Sequence, residues 1–170
     1  MDVTLQWKRV FTPTADDISD VMTVCRSTPA YWRLTEGRLP DQAEVCGWFG
    51  LDNLPQGFTL ADAFNFIIYC EQEVIGFCQI LRGWRYPEQS TIGLLLVVES
   101  WQGRGVGRQI YQQIEALVRD WPGMEWIRAG VIATNLPAFP FWYRMGFVDT
   151  GERRQELQFL AETVILEKRL

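Results

Sequence analysis

The chain has 170 residues, of which 48% are hydrophobic and 14% aromatic, enough for one domain with a full core and too apolar for a disordered segment. The net charge is −5 and the basic residues come at most in adjacent pairs, Lys8-Arg9, Arg153-Arg154 and Lys168-Arg169, so the basic face of a nucleic-acid binder is missing. The complete absence of histidine removes Ser-His-Asp and Cys-His catalysis, histidine-based zinc sites and any histidine base. Residues 1–8 carry no charged-then-apolar leader pattern and no apolar run reaches the ~20 residues of a membrane span; a cytoplasmic protein is expected, with no membrane partner. Residues 5–11 read as a first strand. The run Pro13-Thr14-Ala15-Asp16-Asp17 is a helix start, with Thr14 as N-cap and acidic residues in the first turn. Ile18, Met22 and Cys25 follow at helical spacing. Residues 29–40 read as a break carrying Tyr31, Trp32 and Glu36, and residues 41–49 as a second helix capped at Asp41. Residues 64–70 and 74–83 form a hairpin across Glu71-Gln72-Glu73. The strand over residues 92–98 is apolar on both faces, which predicts a central place in its sheet. A helix over residues 105–121 presents Val106, Ile110, Ile114, Leu117 and Val118 as one stripe, and Pro122-Gly123 ends it. A strand at 126–132, a short helix at 136–145 and strands at 147–151 and 163–168 complete the chain. No repeat or linker divides it, so residues 1–170 are expected to form one domain. The four cysteines, Cys25, Cys46, Cys70 and Cys78, include no C-x-x-C pair and read as reduced core thiols.

The stretch I-G-L-L-L-V-V-E-S-W-Q-G-R-G-V-G-R over residues 92–108 carries the most chemistry. A strand stops, a glycine-dense turn follows, and a helix opens directly after it. The first N–H groups of a helix have no intrahelical partner and lie at the positive end of its dipole. Glycines at 103, 105 and 107 let an anion approach that backbone without a Cβ in the way. The phosphate loop G-x-x-x-x-G-K-[ST] is excluded, because no Lys-Ser or Lys-Thr pair follows the glycines. The dinucleotide fingerprint G-x-G-x-x-G also fails: from Gly103 its last position is Arg108, and from Gly105 it is Ile110. The pattern [QR]-x-x-G-x-[GA] is met in full by Gln102-Gly103-Arg104-Gly105-Val106-Gly107.

A second signature, N-x-x-A-x-x-[LF]-Y-x-x-x-G-F, is matched downstream by Asn135, Ala138, Phe141, Gly146 and Phe147. With both motifs in this order, residues 64–170 resemble the GNAT superfamily of acyl-CoA-dependent N-acetyltransferases. The resemblance implies an α/β fold with a mixed, mostly antiparallel central sheet flanked by helices. It implies acetyl-CoA as co-substrate, with no metal, and a small-molecule or peptide amine as acceptor, in a monomer or homodimer. Its pyrophosphate cradle maps onto Gln102, Gly103, Arg104, Gly105, Val106, Gly107 and Arg108. In such folds the central strand splays from its neighbour at a bulge and offers backbone N–H groups to the thioester carbonyl. The equivalents here are Leu96, Val97 and Val98, with Leu96 and Val98 as the expected oxyanion contacts. Asn135 is a helix cap for a segment starting at Leu136-Pro137 and, by the resemblance, a contact to the coenzyme arm, with Phe141 and Trp142 beside it.

The chain departs from the family where chemistry would finish. The tyrosine that usually protonates the leaving thiolate falls on Trp142, whose indole N–H donates a hydrogen bond but transfers no proton. Three alternatives stand: Trp142 packs or lines the pantetheine arm while solvent protonates sulfur; Tyr143 reaches in by a shifted register; or Tyr111 serves. The first is favoured by spacing. Glu88, Glu36 and Glu99 are the candidate bases, and a cationic amine would find acidic partners in Glu36, Asp41 or Glu44. The aromatics Tyr31-Trp32, Trp48-Phe49 and those at positions 84–86 are candidates for an acceptor cleft. A non-catalytic coenzyme-binding module on the same fold is the alternative function.

Overall fold

In the computed structural model, which describes residues 3–170, the chain runs β1 (Leu5–Val10), α1 (Ala15–Arg26), α2 (Pro29–Thr35), α3 (Gln42–Gly47), β2 (Ala63–Cys70), β3 (Glu73–Arg82), β4 (Gln89–Val97), α4 (Val106–Arg119), β5 (Trp126–Ile132), α5 (Ala138–Arg144), β6 (Val148–Arg154) and β7 (Thr163–Arg169). Short 3-10 turns lie at Leu51–Asn53 and Glu99–Trp101. The seven strands form one sheet in the order β1-β2-β3-β4-β5-β7-β6, with β4 in the middle. Every neighbouring pair is antiparallel except β4 with β5. The expected mixed, mostly antiparallel sheet with flanking helices is the fold observed.

The helices divide between the two faces as their apolar stripes dictate. On α4, Val106, Ile110, Ile114 and Val118 are buried as the spacing predicts, and Tyr111 joins them. This helix lies so close to β3 that a Cβ on Gly76 would sit 3.7 Å from Ile110 Cδ1. The opposite face carries α1. Its first turn is closed by a capping box between Thr14 and Asp17, and the buried Asp17 carboxylate meets Lys8 of β1 at 2.5 Å. Tyr69 of β2 donates its hydroxyl to Asp20 of α1 at 2.7 Å. Arg128 of β5, 4% exposed, ties the last three strands together through Glu152 at 2.6 Å and Glu167 at 3.2 Å.

Two expectations are corrected here. Residues 29–35 are helical rather than a break: Pro29 occupies the first helical position, where its fixed φ suits the helix and its missing N–H is not needed. Cys25 and Cys78 are buried, but Cys46 lies exposed on α3 and Cys70 half-buried at the end of β2, so only two of the four free thiols belong to the core.

Candidate active site

The site begins where the central sheet opens. The parallel pairing of β4 with β5 runs only from Gln89–Trp126 to Ile92–Ala129. The next residue, Gly93, is an extra one: Gln79 of β3 pairs with Leu94 while Ile80 pairs with Ile92. A bulge of this kind bends its strand and turns it away from a neighbour. Beyond it β4 keeps β3 as partner, β5 keeps β7, and a wedge opens between β4 and β5.

Strand alternation then decides which donors face the wedge. Val98 N–H donates to Ile75 of β3 at 2.9 Å. Amide direction alternates along an antiparallel strand, so Leu96 also points at β3, opposite Phe77. Leu95 and Val97 point to the open side. Of the two amides expected as oxyanion contacts, that of Val98 is already bonded to Ile75 O and that of Leu96 faces β3; the amides of Leu95 and Val97 are the ones turned toward β5.

The glycine turn stands at the wide end of the wedge. Gly103 and Gly105 hold φ of +72° and +84°, and a Cβ built on either meets nothing within 4 Å. Both glycines are needed for conformation, and the space in front of them is open. Gly107 has a different role, since a Cβ there would lie 3.4 Å from the Phe141 ring; it lets α4 and α5 approach. Gln102 reaches back and donates its Nε2 to Val97 O at 2.7 Å, which locks the turn to the end of β4. Arg104 lies over the Trp101 ring at 5.8 Å, and both Arg104 and Arg108 are exposed beside the turn. Helices α1 and α3 both carry complete capping boxes. At α4 the N-cap is Gly105 and no side chain bonds the first turn. Open backbone donors, a helix dipole and two arginines together are able to hold an anion.

A strap crosses the mouth of the wedge. At its start, α2 receives Glu99, which follows β4: Ala30 N–H donates to Glu99 Oε1 at 3.0 Å and Glu99 N–H to Ser27 O at 3.0 Å. At its end, Leu34 O accepts from the Thr134 hydroxyl, just past β5. Thr35 O accepts from Leu160 N–H of the β6–β7 connection at 2.8 Å. The helix is thus fastened to both arms of the opening. Glu36 follows it directly and is half-buried. Burial, then the Glu44 charge, hold the Glu36 carboxyl above the usual carboxylate range against the opposing pull of Arg38.

The other expected residues fall in several places. Trp142 is 7% exposed and packs edge-on against Phe147 at 4.9 Å, Phe141 at 5.1 Å and Tyr111 at 6.1 Å. Tyr143 is 49% exposed on α5, beside Phe139 and near Arg153 of β6. Tyr111 is buried and its phenol is driven far above its ordinary pKa by burial. Asn135 does not cap α5: the helix starts two residues later than expected, with Pro137 at the cap and no side-chain bond there. Glu88 precedes the first residue of β4 and its carbonyl accepts from Glu125 and Trp126. Eight residues of strand separate it from Leu96, about 25 Å, so Glu88 is not brought to the wedge. The same distance removes the aromatics at 84–86, which sit in the β3–β4 connection. Trp32 and Trp48 stack in line over Phe77 at 6.0 and 6.1 Å, forming the floor of the strap.

Residues 23–147 match the model of a family described as the Acetyltransferase (GNAT) family. No curated protein matches the chain. Among solved structures it is similar to an acetyltransferase from Thermus thermophilus, at 24% identity and a TM-score of 0.77 over 99% of this chain and 98% of that one. It is also similar to an aminoglycoside acetyltransferase in complex with coenzyme A, at 17% identity and a TM-score of 0.72 over 98% and 95% of the two chains. The ribosomal-protein-S18-alanine N-acetyltransferase from Escherichia coli superposes with a TM-score of 0.67 at 12% identity, over 98% and 94%. At these identities the shared property is the fold.

Proposed function

This chain belongs to the GNAT acetyltransferase family, and on that premise we propose that it transfers an acetyl group from acetyl-CoA to a primary amine of a small molecule or peptide by direct attack on the thioester. The observation that carries the proposal is the uncapped start of α4 on its open glycine turn, at the end of a strand that has parted from its neighbour. The backbone of residues 103–108, with Arg104 and Arg108, holds the pyrophosphate; the pantetheine arm runs into the wedge past Val97 and Phe141, with Asn135 on the other side.

The chemistry asks for a neutral amine, a stabilised oxyanion and a departing thiolate. An alkylamine of pKa ≈ 10.4 must give up a proton, which costs roughly 4.6 kcal/mol at pH 7. The amides of Leu95 and Val97 face the thioester carbonyl, and fixed donors of this kind contribute about 3 kcal/mol each to the transition state. The neutral amine nitrogen attacks the carbonyl carbon, its surplus proton passes to solvent, the carbonyl re-forms as the C–S bond breaks, and the thiolate takes a proton from solvent, since Trp142 has none to give and Tyr143 lies half-exposed on α5.

Replacing Gly105 with Val places a branched side chain in front of the turn at a φ that only glycine adopts easily. Calorimetry is expected to show coenzyme A affinity lost while circular dichroism keeps the fold; unchanged affinity would refute the cradle. The place of Trp142 also suits a coenzyme-binding module without turnover. Thiol release from acetyl-CoA with a panel of amines separates the two: release supports the transferase, and binding without release the module.

A further inference from the structure

Glu36, Asp41 and Glu44 are the acidic partners that the sequence offers a cationic amine, and the structure uses two of them internally. Asp41 caps α3, its Oδ1 accepting from Glu44 N–H at 2.8 Å. Glu44 returns the bond to Asp41 N–H at 2.8 Å and grips both terminal nitrogens of Arg38. That fork pushes the Glu44 carboxyl down to about 2. It also engages Arg38, the cation nearest to Glu36 in sequence, which acts on Glu36 only through its field. Among the described residues no lysine or arginine comes within ion-pairing distance of Glu36, as Arg38 pairs with Glu44 instead. Glu99, the remaining carboxylate near the opening, is engaged with α2.

Apolar side chains stand beside Glu36. Tyr31 lies close enough to feel its charge, and Leu160 packs on the neighbouring Gly37, at 3.4 Å from a Cβ built there. Leu39 and Leu160 are 44% and 57% exposed. An unpaired carboxylate in such a place lacks the partner that buried charges normally have. Resting on the transferase reading above, we propose that Glu36 is the specificity-determining carboxylate of the acceptor side: it pairs with an alkylammonium acceptor as it binds, before that nitrogen gives up its proton to solvent and attacks, and the acceptor's apolar body lies on Tyr31, Leu39 and Leu160.

The groups around Glu36 make its titration easy to isolate. From α1, burial pushes the Cys25 thiol up to about 12, so it stays neutral. From α2, burial and the Glu36 charge raise the Tyr31 phenol still further. From α3, Glu44 remains ionised and is matched by Arg38. Of this group, Glu36 is the carboxyl held above its ordinary range. Its raised pKa means that the fold disfavours the ionised form. The cost is absent below the ordinary carboxylate range and appears as pH rises through the pKa of Glu36 itself.

The test compares wild type with Glu36→Gln using benzylamine, cationic at neutral pH, and aniline, a neutral amine of similar size. Calorimetry at pH 7 is expected to give about tenfold or greater weakening of benzylamine binding in the variant, with aniline binding and coenzyme A affinity unchanged. Benzylamine binding to wild type should strengthen as pH rises through the pKa of Glu36, and that pH dependence should vanish in Glu36→Gln. The variant should also melt higher than wild type at pH 7 and at the same temperature at pH 3, a change opposite to that of a damaged fold. Equal benzylamine binding by the two proteins, or none by wild type, overturns the role of Glu36 whether or not acetyl transfer is found. Absence of thiol release with Glu36-dependent binding would overturn the transferase reading instead.

Discussion

At the scale of the residue, Trp142 concentrates the question of how the reaction ends. It is wedged among Tyr111, Phe141 and Phe147, a position that serves packing. Trp142→Phe keeps an aromatic ring and removes the indole N–H, and most of the turnover should survive; a loss of about 100-fold, ~2.7 kcal/mol in the barrier, with coenzyme A binding intact would show that the N–H takes part. Trp142→Ala, by contrast, should cost about 3–5 kcal/mol of stability in a denaturant melt. Tyr143→Phe should leave turnover unchanged, because on the proposed reading solvent protonates the thiolate and Tyr143 stands half-exposed beside Phe139. The glycine turn is legible from sequence since its demands are local: positive φ and an uncovered backbone can be satisfied by few residues. The amides turned toward the wedge are not legible to the residue. One inserted residue in a strand reverses every subsequent direction, and nothing in I-G-L-L-L-V-V says where the bulge falls until β3 is laid beside it. Glu36 is visible in the sequence only as one of several carboxylates; its availability follows from what Arg38 and Glu44 do with each other.

Among the elements, α2 is the one that local signals misrepresent. The prolines that bracket residues 29–40 suggest interruption, yet Pro29 starts a helix of seven residues, too short to persist without tertiary support. That support comes from Glu99, Thr134 and Leu160, all distant in sequence, which is why no local signal announces it. Helices α1 and α3 are readable because their caps, Thr14 and Asp41, lie beside them. The fastening predicts a specific separation of effects. Glu99→Ala releases the first turn of α2 from β4, so the KM for benzylamine should rise several-fold while coenzyme A affinity holds and stability falls by no more than ~1 kcal/mol. A matching loss of coenzyme affinity would show that Glu99 supports the turn at 102–108 rather than the strap.

For the molecule as a whole, the decisive fact is a sheet continuous at one end and divided at the other. The composition and the alternation of elements point to the class of fold, but the order β4-β5-β7-β6, with one parallel pair only four residues long, rests on long-range pairing that no window of sequence contains. A coenzyme lying in the wedge touches both halves. At ~100 times its dissociation constant it should stabilise the protein by about 2.7 kcal/mol, a rise of about 5–10 °C in the melting midpoint. Amide exchange should slow on residues 94–97 and 130–132 together and stay unchanged at 89–92; protection on one arm alone would mean that the ligand lies elsewhere. The bare start of α4 extends this to the life of the protein in a cell. Where α1 and α3 finish their own first turns with side-chain caps, α4 has none, so on the proposed reading a bound anion would complete its fold. If coenzyme completes that turn, a chain starved of it should spend a larger fraction of its time open to proteases and chaperones, and its abundance should follow the supply of coenzyme.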